Sequence, residues 1–300
     1  MAINRAQLAK ELEPGLNALF GMEYARYENE AAEIFEQESS DRAFEEEVML
    51  VGFGQAAVKA EGAGVGFDTA QESFTARYTH ETIALAFSLT EEAVEDNLYD
   101  TLSARYTKSL ARSMAYTKQV KGANILNNAF STAGGDGVSL VHATHPTALG
   151  GTWSNISSTN ADLNETSLES AMISIAGFID ERGLKVAMKA RKLFIPVNTQ
   201  FVADRLLNST LRVGTADNDI NAIKNMGILP DGYTVNHYLT DIDAWFIKTD
   251  CPNGLKHFTR AALSTGMEGD FDTGNMRYKA RERYSFGWSD PRCVFGSQGS

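Results

Sequence analysis

Apolar and polar residues alternate twice across residues 72–89, and the two runs are out of step. Phe74, Ala76 and Tyr78 alternate with polar neighbours, then Ile83, Leu85, Phe87 and Leu89 alternate in the opposite phase. A period of two is the signature of a half-buried strand. The one-residue phase change predicts a bulge or a strong twist between two halves of one long strand. A second strand is predicted at 48–54, "VMLVGFG". Between the two lies "VGFGQAAVKAEGAGVGFD" (51–68), in which Gly62, Gly64 and Gly66 take every second place. The glycine-rich stretch therefore joins strand to strand and is expected to form the tip of a hairpin.

The period then changes. Ser88 and Glu91 are spaced as a capping box, with Glu91 and Glu92 suited to a first helical turn. Val94, Leu98, Leu102, Tyr106, Leu110 and Met114 recur every four residues, Val120, Ile125 and Leu126 continue the pattern, and "STAGGDG" at 131–137 ends it. A helix of roughly forty residues would span about 60 Å. It lacks the sustained heptads of a coiled coil, so it must lie across a sheet or another subunit. Residues 1–46 are polar and acidic, punctuated by Pro14 and Gly15, and read as an extended arm with short helices, too poor in apolar residues for a core. After a polar connection (131–162), "NETSLESAMISIAGFIDERG" predicts a helix closing on Gly183 and "KLFIPV" (192–197) a buried strand. Helices are expected at 199–209 and 218–227, a strand pair "YTVNHYL"/"DAWFIKTD" around "TDID", and a strand-rich end. Helices and strands without βαβ alternation indicate an α+β fold.

Composition narrows the function classes. The chain has 300 residues, 43 % of them hydrophobic, and a formal net charge of −12. Such a surface lacks the clustered cations that a general grip on nucleic acid needs. Cys251 and Cys293 are too few and too far apart in sequence for a disulfide framework or a zinc site. There is no signal-like apolar segment, which argues against secretion and membrane spanning and leaves the sequons at Asn155, Asn164 and Asn208 without meaning.

Each candidate chemistry is outweighed by a plainer reading. The glycine stretch opens a strand and not a helix, so the amides of a phosphate cradle are missing. His142 and His145 in "HATHP" have a metal-compatible spacing but lie in a loop without a carboxylate motif. "DFDTGN" (270–275) puts its glycine one position early for a calcium loop, and a turn between strands is expected. Arg277, Lys279, Arg281 and Arg283 occupy every second position and would share one face of a strand. That face is either simply solvated or pairs with acidic residues of a neighbouring chain. No nucleophile, dyad or cofactor motif emerges; no enzyme activity, cofactor or metal is expected.

The order of arm, glycine-tipped hairpin, very long helix, α+β segment and closing strand resembles the major capsid proteins of tailed bacteriophages, those with the HK97 fold. Three longer stretches carry the resemblance more narrowly: "DGVSLVHATHPT", "NDINAIKNMGILPDGYTVNHYLTDIDAWFIKTDCPNGLKHF" and "DFDTGNMRYKARERYSFGWSDPRCVFGS". The resemblance implies an N-terminal arm at 1–46, an E-loop hairpin at 47–87, a peripheral domain with its spine helix at 88–159, an axial domain at 160–254, and C-terminal strands at 255–300 returning to the peripheral domain. It implies self-assembly as hexamers and pentamers into an icosahedral shell around double-stranded DNA, in the virion, with assembly in the host cytoplasm. Portal and scaffolding proteins and a decoration protein are implied partners. With about 46 residues ahead of the hairpin, either scaffolding is a separate protein or this chain is a processed form, and Met1 favours the first. An encapsulin-like nanocompartment or a gene-transfer particle is the alternative. Expected inter-subunit contacts are Phe53, Lys59, Gly62, Gly64, Gly66, Phe67, Phe74, Tyr78 and Leu85 along the hairpin, and Arg277, Arg281 and Arg283 on the closing strand. No crosslink through Lys59 is expected. Replacing Gly62, Gly64 and Gly66 with valine is expected to impair assembly while leaving the subunit folded.

Overall fold

The structure is a computed structural model that describes residues 5–90, 92, 99–212, 219–270 and 273–300. The first half of the chain forms α1 (Arg5–Arg26), α2 (Glu30–Ile34), β1 (Glu36–Ser39), β2 (Phe44–Val51), β3 (Gln71–Thr79), β4 (Glu81–Leu89), α3 (Tyr99–Asn127) and the short pair β5 (His145–Pro146) and β6 (Thr152–Trp153). The second half forms α4 (Glu165–Ala176), β7 (Ala190–Ile195), α5 (Gln200–Asn208), α6 (Ala222–Met226), β8 (Tyr233–Val235), β9 (Trp245–Thr249), β10 (Leu255–Gly269), β11 (Met276–Trp288) and β12 (Val294–Ser297). The residues divide into two compact units, one of 1–44, 79–122 and 257–286, the other of 45–78, 123–256 and 287–300.

The first unit is built on a sheet of order β1-β10-β11-β4. Strand β11 buries Tyr278, Ala280, Glu282 and Tyr284 and turns Arg277, Lys279 and Arg281 outward, with Arg283 half-buried in the same row. The period-two reading of this strand therefore holds. Tyr278 and Ala280 meet Leu110, Ala111 and Met114 of α3 and Leu16 and Phe20 of α1 in one buried cluster, with Ile83, Phe87, Leu263 and Met267 against it. The N-terminal segment thus departs from the extended arm expected of it. Leu16 and Phe20 lie four apart on one face of a helix that continues through Pro14, and their burial outweighs the missing proline hydrogen bond.

The expected helix is present as α3, although residues 91 and 93–98, including Glu91 of the proposed capping box, lie outside the described residues. Ser88, its other half, is a ladder residue of β4 opposite Arg277. The buried stripe of α3 is also not quite the one that large side chains suggest. Leu110, Met114 and Leu126 are buried, but so are Ser103, Thr107, Ala111, Ala115 and Ala123, whereas Tyr106 is half exposed against the Phe87 ring, 5.7 Å away. Small residues let a helix approach its neighbours closely, and apolar periodicity weights them too little to show it.

The phase change at 79–81 is a break and not a bulge in one strand. β3 pairs with β2 alone, while β4 joins β11 in the other sheet, with Leu85 opposite Ala280. His80 sits between them, buried, its Nδ1 3.0 Å from Ser285 Oγ and its Nε2 2.9 Å from Ser40 Oγ. Each half keeps its own apolar face because each half belongs to a different sheet.

The second unit holds a sheet of order β12-β9-β7-β8, with Phe194, Ile195, Trp245, Phe246, Ile247 and Phe295 as its buried centre. The pair expected around "TDID" is not a hairpin: β7 lies between β8 and β9, parallel to the first and antiparallel to the second. The apolar run of β7 is what earns the central place, since a strand covered on both faces is apolar throughout. Helix α4 starts with a capping box between Asn164 and Ser167 and stops at Gly177, not at Gly183. Gly183 belongs to a following turn, in which Asp180 Oδ1 accepts the amides of Arg182 and Leu184 at 2.8 and 2.7 Å. In the expected turn at 270–275, residues 271–272 lie outside the described residues, and the Asp270 amide donates to the Asn275 carbonyl at 2.8 Å.

Candidate functional site

The hairpin of β2 and β3 carries residues 52–70 as its loop, and this is where exposed apolar surface concentrates. Phe67 is 99 % exposed, Val58 100 %, Val65 68 % and Phe53 64 %. Burying one such side chain is worth about 1.5–3 kcal/mol, so a cluster left in water marks a surface awaiting a partner. Lys59 is exposed in the same loop. Its tip is a turn in which the Ala63 amide donates to the Ala60 carbonyl at 3.1 Å, and Gly62 takes φ +78°. Glycine is needed at Gly62 for that conformation. Gly64 and Gly66 have open space around them and no positive φ, so the regular glycine rhythm reflects one true requirement.

Arg182, which sequence patterning passes over, closes the base of this loop. Its Nε donates to the Gly52 carbonyl at 3.0 Å, its Nη2 to the Thr69 carbonyl at 2.5 Å, and its Nη1 lies 3.5 Å from Asp68 Oδ1. Asp68 ties the two ends together from inside, its Oδ2 accepting the Gly54 amide at 2.7 Å. The Gly54 and Thr69 amides, with Arg182 contributing less, hold the Asp68 carboxyl below its ordinary pKa. Replacing Arg182 with alanine is expected to leave the subunit folded, since the groups it holds lie at the base of an exposed loop. Limited proteolysis should nevertheless cut within 52–70 several-fold faster; unchanged cleavage would show that the clasp does not order the loop.

The strands beneath are pinned more firmly. Glu47 on β2 accepts from Lys256 and from Ser289, and Tyr78 on β3 shares a 2.5 Å hydrogen bond with that same Ser289 hydroxyl. Gly135 lies directly against β3: a Cβ there would stand 2.6 Å from the Thr75 carbonyl oxygen. Tyr78 is consequently 3 % exposed, which corrects its expected role, because a ring packed inside its own unit is not presented to another subunit. Phe74 is half-buried, whereas Leu85 is 45 % exposed on β4. Arg277, Arg281 and Arg283 stand on β11 in the other unit, and Arg277 is held by Asp270 at 2.5 Å.

The two histidines of "HATHP" have separate fates. His142 Nδ1 accepts the Thr144 amide at 3.1 Å. His145 is fully buried, stacked on Trp153 with centroids 4.6 Å apart, its Nδ1 2.6 Å from Asp136 Oδ2 and its Nε2 3.0 Å from Asn155 Oδ1. That arrangement holds a fold together and has no open side for a substrate. Among the described residues, no cluster of three His, Cys, Asp or Glu side chains suited to a metal is present, and no helix is long and apolar enough to cross a membrane.

A family model described as phage capsid protein matches residues 72–296. Among solved structures, a chain of Microbacterium phage Oxtober96 superposes with a TM-score of 0.52 at 13 % identity, covering 91 % of this chain and 92 % of that one. The procapsid of bacteriophage JBD30 gives 0.54 at 13 % identity, over 99 % of this chain and 77 % of that one. A virus-like particle from Pyrococcus furiosus gives 0.55 at 10 % identity, over 95 % and 98 %. Comparison with curated protein sequences finds no match.

Proposed function

Because the chain belongs to the phage capsid protein family and has the α+β HK97-type capsid fold, we propose that it forms the icosahedral head of a tailed phage as hexamers and pentamers enclosing double-stranded DNA. That it is a major capsid protein, assembling into the shell of the virion, follows from the family and the fold. The capsomer arrangement and the DNA content are the finer reading. The observation that carries it is the loop 52–70, whose apolar side chains have no cover at home. A subunit that leaves Phe67 and Val58 almost wholly in water gains by covering them with a neighbour.

In this reading 47–87 acts as the E-loop, 1–46 as the N-terminal arm, 88–159 and 255–300 as the peripheral domain, and 160–254 as the axial domain at the capsomer axis. Phe53, Lys59, Gly62, Gly64, Gly66, Phe67 and Phe74 belong to the hairpin contact, Arg277, Arg281 and Arg283 to a second one, and Leu85 reaches a neighbour from β4, outside the hairpin. Assembly takes place in the host cytoplasm with portal and scaffolding proteins, and a decoration protein on the finished shell. The role is structural and calls for no catalysis. The near-complete mutual coverage with the archaeal virus-like particle supports a second reading, a nanocompartment around protein cargo.

Purified particles decide between the two. Nuclease-protected double-stranded DNA inside shells seen by electron microscopy is the expected content, and a folded enzyme inside small closed shells would favour the nanocompartment. Replacing Val58 and Phe67 together with serine should cut particle yield by an order of magnitude or more while leaving the melting temperature of the unassembled subunit within about 2 °C, since neither side chain is buried there. Normal particles from that variant would remove the loop from the interface.

A further inference from the structure

The β10–β11–β4 sheet has one face on its core and one face without any. Leu263 and Met267 of β10, Tyr278 and Ala280 of β11, and Ile83 and Phe87 of β4 serve the core. The opposite face carries Arg277, Lys279, Arg281 and Arg283 along β11, and the ladder places Ser88, Ala86, Ala84 and Thr82 of β4 beside them in turn. On the other flank, Ser264 Oγ donates to the Arg281 carbonyl at 3.3 Å, and a Cβ on Gly266 would stand 3.8 Å from Lys279 Cε. Arg260 has the same parity on β10 as Ser264 and Gly266 and extends the cationic face. Alternate strand residues stand about 6.7 Å apart, so the β11 row alone runs for about 20 Å.

Charge on this face is poorly balanced. Arg277 is bound by Asp270, and Glu268 is an exposed carboxylate at the same end. Among the described residues, none makes an ion pair with Arg260, Lys279, Arg281 or Arg283. The Nε atoms of Arg260 and Arg283 are, moreover, buried without a hydrogen-bond acceptor. A buried donor left unmade is costly, and each one in a native protein calls for an explanation. All this occurs in a chain with twelve more acidic than basic residues, where partners for four cations are not scarce.

We propose that this row is a docking strip for carboxylates of a second copy of the chain. Charge complementarity selects that occupant: in a shell every subunit is surrounded by others, and the rest of each surface is strongly acidic. The flanking Ala84, Ala86, Ser264 and Gly266 are small enough for a partner's backbone to come close. Among the described residues, the strip carries no aromatic side chain on which nucleic-acid bases could stack. The inference rests on the assembly reading above and adds to it an electrostatic contact separate from the apolar loop.

Zero-length crosslinking tests it on unmodified particles. A carbodiimide activates a carboxylate, the Lys279 amine displaces the resulting urea, and an amide forms between groups already in contact. In particles assembled from mixed nitrogen-isotope-labelled and unlabelled subunits, mass spectrometry should find Lys279 joined to Asp or Glu of differently labelled copies, and such links should be absent from unassembled subunits. Lys279 links confined to its own chain, for example to Glu268, while other mixed-label links form, would overturn the proposal and leave the assembly reading standing. Lys279→Glu combined with Arg281→Glu should lower particle yield at least about tenfold at low ionic strength, where unscreened charges act most strongly, with subunit melting unchanged. Full yield from this variant would equally overturn it. Failure of the unmodified chain to form particles would bring down both readings together.

Discussion

Replacing Arg292 with alanine is expected to destabilise the unassembled subunit by about 3–5 kcal/mol, the usual cost of removing one partner from a buried ion pair. The side chains of Arg292 and Glu181 are 4 % and 7 % exposed and meet at 2.8 Å. The same guanidinium lies 3.2 Å from Asp290 Oδ1, donates from Nε to the Ile179 carbonyl at 2.7 Å, and stands 4.7 Å above the Trp153 ring. Alanine would strand Glu181 in the interior, where among the described residues the Ala148 amide, 2.9 Å from its Oε2, would still bind it. Equilibrium unfolding in urea measures the loss. The double replacement Arg292→Met with Glu181→Gln should recover more than half of it, because the orphaned charge, and not the missing attraction, is the main cost. A loss below about 1 kcal/mol in the single variant would place Arg292 among exposed pairs.

Asn155→Leu should be of similar size, about 3–5 kcal/mol, because several buried groups lose their partners at once. Asn155 Nδ2 donates to the carbonyls of Leu140, Pro291 and Val294 at 2.7, 3.0 and 2.9 Å. Its Oδ1 accepts the His142 amide at 2.8 Å and faces His145 Nε2 at 3.0 Å. Leucine keeps the branched outline of the side chain and makes none of these bonds, so no cavity is left, while its bulkier methyl groups add an overpacking cost to the lost polar contacts. Calorimetry should show a fall in melting temperature of about 5–8 °C; a fall of 1–2 °C, about what a surface change gives, would mean that water replaces the side chain. The Asn155 and Arg292 variants should not be additive, since Asn155 holds the carbonyl of Pro291, next in sequence to Arg292.

Neither residue announces itself in the sequence. Asn155 sits in a Ser/Thr/Asn-rich connection that patterning reads as a polar loop, and Arg292 follows a proline in what looks like a terminal turn. The same holds for Arg182: the apolar run of α4 suggests that the helix continues to Gly183, whereas it stops at Gly177 and frees the next residues to form the turn that carries the loop clasp. For α1, proline and charge argued for an irregular arm, and two apolar residues four apart decided for a helix once a core was available to receive them. Tyr78 departs from the hairpin pattern for the opposite reason. An aromatic on a hairpin strand looks free to reach a neighbour until Ser289 and the packing beneath it are known.

What the sequence by itself determined is whatever depends on neighbours a few positions away. The alternation that turns Arg277, Lys279 and Arg281 outward and Tyr278, Ala280 and Tyr284 inward is such a feature, as are the Gly62 turn and the long helical stripe around Leu110 and Met114. Strand and helix periods are properties of the local backbone, so they are written in consecutive residues. The tertiary structure alone decided which strand lies beside which, the insertion of β7 between β8 and β9, the break at His80, and the partners of Arg182 and Arg292. Arg182 meets Gly52 across 130 positions and Arg292 meets Ile179 across 113. Contacts of that separation depend on chain topology and on desolvation at a particular place, and no local period encodes either.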